Sequence, residues 1–202
     1  MIKILIVYYS MYGHIGSMAR KVKEGVNSID GCEGVLYQVP ETLSEEVLGK
    51  MGAPPKDIDV PVIKADDLES ADGIIFGIPT RFGMAAAQMK SFMDSTGGLW
   101  MKQKLAGKPA GIFVSTGTQC GGQETTAMTW VTQLVHHGMI FVPTGYQSPG
   151  SQMQMDSIQG GSPWGSGTYA AGDGSRQPSE PELTLAKLQG EGFAKVAKKL
   201  SA

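Results

Sequence analysis

The stretch "YYSMYGHIGS", residues 8–17, follows an apolar run and precedes a helix-like pattern; it holds a hydroxyl at Ser10, a turn glycine at Gly13 and no Lys or Arg. Such a loop offers main-chain amides and the positive end of a helix that starts near His14 or Ile15. That combination suits one compact, terminal phosphate. The dinucleotide fingerprint G-x-G-x-x-G is absent, since the loop has Gly13 and Gly16 but no first glycine before them, and no Gly-Lys-Ser/Thr follows. Three later segments share the polar, Gly-rich character: "PTRFG" from Pro79, "STGTQCGGQE" from Ser115 and "GYQSPGS" from Gly145. In the second, Ser115, Thr116 and Thr118 supply hydroxyls, while Gly117, Gly121 and Gly122 let backbone approach a flat ligand closely. "PTRFG" also reads as an ordinary turn after a strand. Glu124 suits the first turn of a helix and is not assigned to catalysis. Histidine occurs at His14, His136 and His137. Adjacent histidines point different ways, so they make no metal pair and no metal site is expected.

These loops need a frame, and the apolar runs supply one. "KILIVYY" from Lys3, "GIIFGIPT" from Gly73, "AGIFVST" from Ala110 and "MIFVPTGY" from Met139 are nearly continuous in hydrophobicity, as strands covered on both faces must be. "EGVLYQV" from Glu33 is weaker and fits an edge. Helical spacing occupies 15–26, 84–93, 125–135 and 181–200, the last opened by a Ser179-x-x-Glu182 capping box. The alternation predicts an α/β fold: a doubly wound five-stranded parallel sheet, with helices on both faces and a long excursion before the last helix. Ligands of such sheets sit beyond the carboxyl ends of the strands, where all the polar segments fall.

The chain of 202 residues, with 18% charged residues and a formal net charge of -2, fits one elaborated domain, 1–202, and lacks a basic surface for nucleic acid. Two segments exceed a minimal domain. Residues 41–60 read as a short helix and a Pro-containing loop. Residues 147–179 lack periodicity but contain Trp164 and Tyr169, so they read as an ordered cover for a site or a subunit contact. Cys32 and Cys120 form no disulfide framework and are expected to be reduced. No stretch is long and apolar enough to span a bilayer, and a cytoplasmic setting is expected.

Taken together, S-x-Y-G-x-x, "PTRFG", "STGTQCGGQET", "HHGM", "DSTGGLW", "GGSPWG" and "AGDGSRQPS" resemble the WrbA-type NAD(P)H:quinone oxidoreductases of the flavodoxin-like superfamily. The resemblance runs through nearly the whole chain. It implies FMN as cofactor, NADH or NADPH as electron donor, a quinone as substrate and a homo-oligomer, a tetramer in which neighbouring subunits complete each site. Carried over by position, it implies FMN contacts at Ser10, Met11, Tyr12, Gly13, His14, Ile15, Thr80, Arg81, Phe82, Gly83, Ser115, Thr116, Gly117, Thr118, Gly121 and Gly122. It also puts His137 at the flavin as the catalytic donor, with His136 in reserve, and has Tyr12 and Trp100 shape the substrate face. Trp100 reads equally as a core or interface residue. A one-electron flavodoxin-type carrier and a non-enzymatic FMN-binding protein are the alternatives. Simple flavodoxins place further threonines in the first loop, where this chain has Tyr12 and Ile15, so looser FMN binding is expected.

Overall fold

The computed structural model describes residues 1–201. In chain order the elements are β1 (Ile2–Tyr8), α1 (His14–Asn27), β2 (Cys32–Gln38), α2 (Glu45–Lys50), β3 (Gly73–Arg81), β4 (Met84–Ala85), α3 (Ala87–Asp94), α4 (Gly97–Met101), β5 (Pro109–Thr116), α5 (Gln123–His136), β6 (Ile140–Phe141), α6 (Pro149–Gln152), β7 (Gly167–Tyr169) and α7 (Glu180–Leu200).

The sheet runs β2-β1-β3-β5-β6, with all neighbours on this path parallel. This is the flavodoxin-like order, and its crossover falls between β1 and β3. Successive side chains of a strand face opposite ways, so β1 serves two cores. Ile4, Ile6 and Tyr8 pack with Met18 and Val22 of α1 and Phe193 and Ala197 of α7. Leu5 and Val7 pack on the other face with Phe92 of α3 and Trp130 and Leu134 of α5. Helices α1 and α7 touch backbone to backbone: a Cβ built on Gly25 would lie 1.9 Å from the Lys187 carbonyl oxygen, and one on Gly190 would lie 2.1 Å from that of Val22.

Two expectations need correction. The helix expected from Met84 starts at Ala87, because Met84 and Ala85 pair antiparallel with Arg81 and Thr80 in a small hairpin. The strand expected from Met139 shrinks to Ile140–Phe141, which pair only with Pro109 and Ala110. The other end of β5 is flanked by β7, with Val114 opposite Gly167 and Thr116 opposite Tyr169. The fifth strand position is therefore filled by two short pieces, β6 before the excursion and β7 within it. Trp164 stacks on Phe141 at 5.8 Å between ring centroids and ties the two together. Among the described residues, no helix is long and apolar enough to cross a membrane.

Candidate active site

The loop after β1 reaches α1 through Gly13, whose φ of 91° is left-handed and whose missing side chain leaves open space. No side chain caps α1, and its first turn carries no carboxylate. The amide of Gly16 donates to Ser10 Oγ at 3.2 Å and that of Ser17 to the Gly13 carbonyl at 2.9 Å. The amides of Met11 through Ile15 find no acceptor among the described residues. A run of free N–H groups at a helix N-terminus with no acid in its first turn fits a dianionic phosphate.

This loop forms one wall of a cavity of about 250 Å³ at the carboxyl end of the sheet. The cavity unites Ser10, Met11, Tyr12, His14 and Ile15 with Thr80 and Arg81 and with Ser115, Thr116 and Gly117. Its remaining wall is Pro79 and Ala170 through Gly174, which the sequence reading does not assign. They arrive there because β7 extends the sheet: the Ala170 amide donates to the Thr116 carbonyl at 2.8 Å. His14 fastens the same wall, its Nε2 donating to the Arg176 carbonyl oxygen at 2.8 Å.

Hydroxyl by hydroxyl, the site is narrower than composition suggests. Thr116 Oγ1 donates to the Thr118 carbonyl at 2.9 Å and accepts from Gln123. Thr126 gives its proton to the Gly122 carbonyl at 2.7 Å, so Thr80 must donate to Thr126 across 2.8 Å, while accepting from the Gly83 amide. Thr80 and Thr116 thus offer a ligand main chain rather than a hydroxyl proton. Ser10 accepts from Gly16 and keeps its proton for another partner. Phe82, Gly83, Thr118, Gly121 and Gly122 do not line this cavity. Gly83 and Gly122 instead join the two rim loops, since a Cβ on Gly122 would lie 3.1 Å from Gly83 Cα. Phe82, at φ 55°, is fully exposed on the rim.

Trp100 and His137 lie elsewhere. Together with Thr96, Gln133 and His136 they line a second cavity of about 220 Å³. Gln123 opens α5 beside the first cavity, and His137 follows its last residue. At 1.5 Å per residue that is roughly 20 Å away. His137 is buried, and Nε2 lies 2.8 Å from Thr96 Oγ1. Thr96 gives its proton to the Met93 carbonyl at 2.6 Å, so Nε2–H donates to it and Nδ1 is left as an acceptor with no partner among the described residues. Burial foremost, and then His136, depress the His137 pKa, which favours this neutral form. Nδ1 can donate only once the ring is protonated. Tyr12 lines the first cavity and not the second, its hydroxyl donating to the Met51 carbonyl at 3.3 Å.

Comparison with known proteins follows the same lines. The family model described as NADPH-dependent FMN reductase matches residues 2–153. The chain is 62% identical to the quinone-oxidoreductase QR2 of Triphysaria versicolor, covering 98% of this chain and 96% of that protein. It is 60% identical to the probable NAD(P)H dehydrogenase (quinone) FQR1-like 2 of Arabidopsis thaliana, over 99% of this chain and 73% of that one. Among solved structures, a flavodoxin, WrbA-like protein from Agrobacterium tumefaciens superposes with a TM-score of 0.68 at 24% identity, covering 98% of this chain and 99% of that one. At that identity the likeness concerns the fold.

Proposed function

The chain belongs to the NADPH-dependent FMN reductase family, and on that premise we propose that it is an FMN-dependent NAD(P)H:quinone oxidoreductase. The observation that carries the reading is the run of free amides from Met11 to Ile15, set at a helix start on the wall of a cavity whose opposite walls are Thr80–Arg81 and Ser115–Gly117. High identity to proteins named for quinone reduction, along nearly the full chain, supports it. FMN, when bound, supplies the chemistry: it takes a hydride from NADH or NADPH and passes two electrons to a quinone.

The protein's part is to hold, orient and shield. The free amides and Ser10 bind the phosphate. The main chain at Thr80 and Arg81 and at Ser115 to Gly117, which lines the cavity, would hold the ring, and the Arg81 charge would favour negative charge developing there. Trp100 and His137 are too far from their own chain's cavity to act in it. In our reading they come from a neighbouring subunit of a tetramer and, with Tyr12, form the face on which nicotinamide and then quinone dock. One face used in turn by both substrates requires a ping-pong order.

The test is steady-state kinetics on the purified chain with its coloured cofactor identified by mass. NADH or NADPH varied at several benzoquinone concentrations should give parallel double-reciprocal lines. Intersecting lines would remove the shared face. NAD(P)H oxidation absent with every quinone, despite bound FMN, would reduce the protein to an FMN binder, and an anaerobic titration dominated by one-electron steps would make it a carrier.

A further inference from the structure

The Ser10 loop borders two cavities. Besides the ligand cavity, a smaller one of about 100 Å³ shares Ser10 and Met11 with it and is walled by Arg20, Pro55 and Lys56 among others. Lys56 crosses it. Its Nζ donates to the Ser10 carbonyl oxygen at 3.1 Å, pairs with Glu41 Oε2 at 2.9 Å and sits 4.3 Å from the centroid of the Tyr9 ring. Glu41 is itself fixed: it accepts from the Tyr9 hydroxyl and from Gln88 Nε2, each at 2.9 Å, and from the amides of Thr42 and Leu43. The ammonium is therefore held in one place by a carboxylate that four other donors immobilise.

A trans peptide points its C=O and N–H in opposite directions. Fixing the Ser10 carbonyl on Lys56 turns the N–H of the same peptide, that of Met11, toward the ligand cavity, where it has no acceptor among the described residues. A cation on the carbonyl also polarises the peptide and makes that N–H a stronger donor. The loop has no Lys or Arg of its own, and the excursion at 41–60 supplies one.

We infer that Lys56 is a positioning residue for a terminal phosphate, acting through the Ser10–Met11 peptide without touching the ligand. The inference rests on the reading that this loop holds the FMN phosphate, and the two can be tested apart. Dissociation constants for FMN and for riboflavin, which lacks the phosphate, are measured by flavin fluorescence on the full chain freed of flavin. The wild type should prefer FMN strongly; equal affinities would overturn both the reading and the inference. Lys56→Met should raise the FMN Kd about tenfold and leave the riboflavin Kd within about twofold of wild type. Lys56→Arg, which keeps the charge and the donors, should recover most of the loss. An unchanged FMN Kd in Lys56→Met, or an equal rise for both flavins, overturns the inference. If Lys56→Met does not fold, Lys56→Ala, which also removes the charge and the donors, is held to the same FMN-to-riboflavin criterion.

Discussion

Glu41 shows how one side chain can couple stability to the site. Burial alone would raise its pKa, but the Lys56 ammonium, the amides of Leu43 and Thr42 and the Tyr9 hydroxyl hold it at about 2, against an ordinary 4.5. Burial, and then the bond to Glu41, push the Tyr9 phenol up, so it stays a donor throughout the range where Glu41 titrates. A carboxyl whose folded pKa is depressed stabilises the fold fully above 4.5 and loses that contribution as pH falls toward 2. The contribution is on the order of 3 kcal/mol. Glu41→Gln should therefore be less stable than wild type at pH 7, and its urea midpoint should fall less between pH 5 and 3. Equal slopes for the two proteins would show that Glu41 does not carry this linkage. At this scale the first loop is legible in the sequence, since Ser10, Gly13 and the helix start are neighbours along the chain. Glu41 and Lys56 are not, because their meaning lies in a carbonyl of a remote residue. Thr80 and Thr116 are half-legible: their position at the rim can be inferred, but the direction of each proton depends on Thr126 and on the Thr118 carbonyl.

The excursion acts as an element because an ion pair with a buried carboxylate closes it. Glu182, fully buried in the first turn of α7, accepts from the Gly160 amide at 2.7 Å, Thr168 Oγ1 at 2.9 Å and the Ser179 amide at 2.7 Å. Arg176 pairs with it at 3.0 Å and also donates to the carbonyls of Tyr169 and Ile158. Replacing the buried carboxylate takes away the acceptor that Gly160, Thr168 and Ser179 share and leaves the partly exposed Arg176 without its counter-ion, a cost of roughly 3 kcal/mol. Glu182→Gln should lose about that much in urea unfolding and should speed amide hydrogen exchange over 158–176 more than over β1 or β3. Uniform acceleration across the chain would mean that Glu182 braces the whole domain rather than the cavity wall. The core strands are legible because two-sided burial makes them continuously apolar. The fifth position is not: "GTY" in β7 is three residues long and carries no period, and only its pairing with Val114 to Thr116 makes it a strand. Ala170 to Gly174 stay hidden for the same reason, since that pairing is what brings them to the cavity. The capping box is read correctly as a helix start, yet Glu182's larger task comes from residues that precede the helix.

At the scale of the whole molecule, the two cavities lie at opposite ends of α5, and each has exposed apolar residues beside it. Phe82 stands free on the first rim; Trp100, Met101 and Val135 are exposed around the second. A two-fold contact that sets the second cavity of one subunit on the first cavity of its partner would repeat itself reciprocally. It would cover both patches and bring Trp100 and His137 to a foreign flavin site. That arrangement predicts complementation. Ser10→Asp, which places a carboxylate in the phosphate loop, should bind no FMN and be inactive, yet keep an intact Trp100. Trp100→Ala should keep FMN but show a raised KM for both NAD(P)H and quinone. Hybrids formed by co-expressing the two chains should hold sites in which the flavin loop of one and the Trp100 of the other are both wild type. Activity per flavin at low substrate should then exceed that of the Trp100→Ala parent several-fold, while mixing the purified parents without subunit exchange gives only their sum. If Trp100 served its own subunit, every flavin-loaded site in the hybrid would carry Ala at position 100, and the low activity would persist.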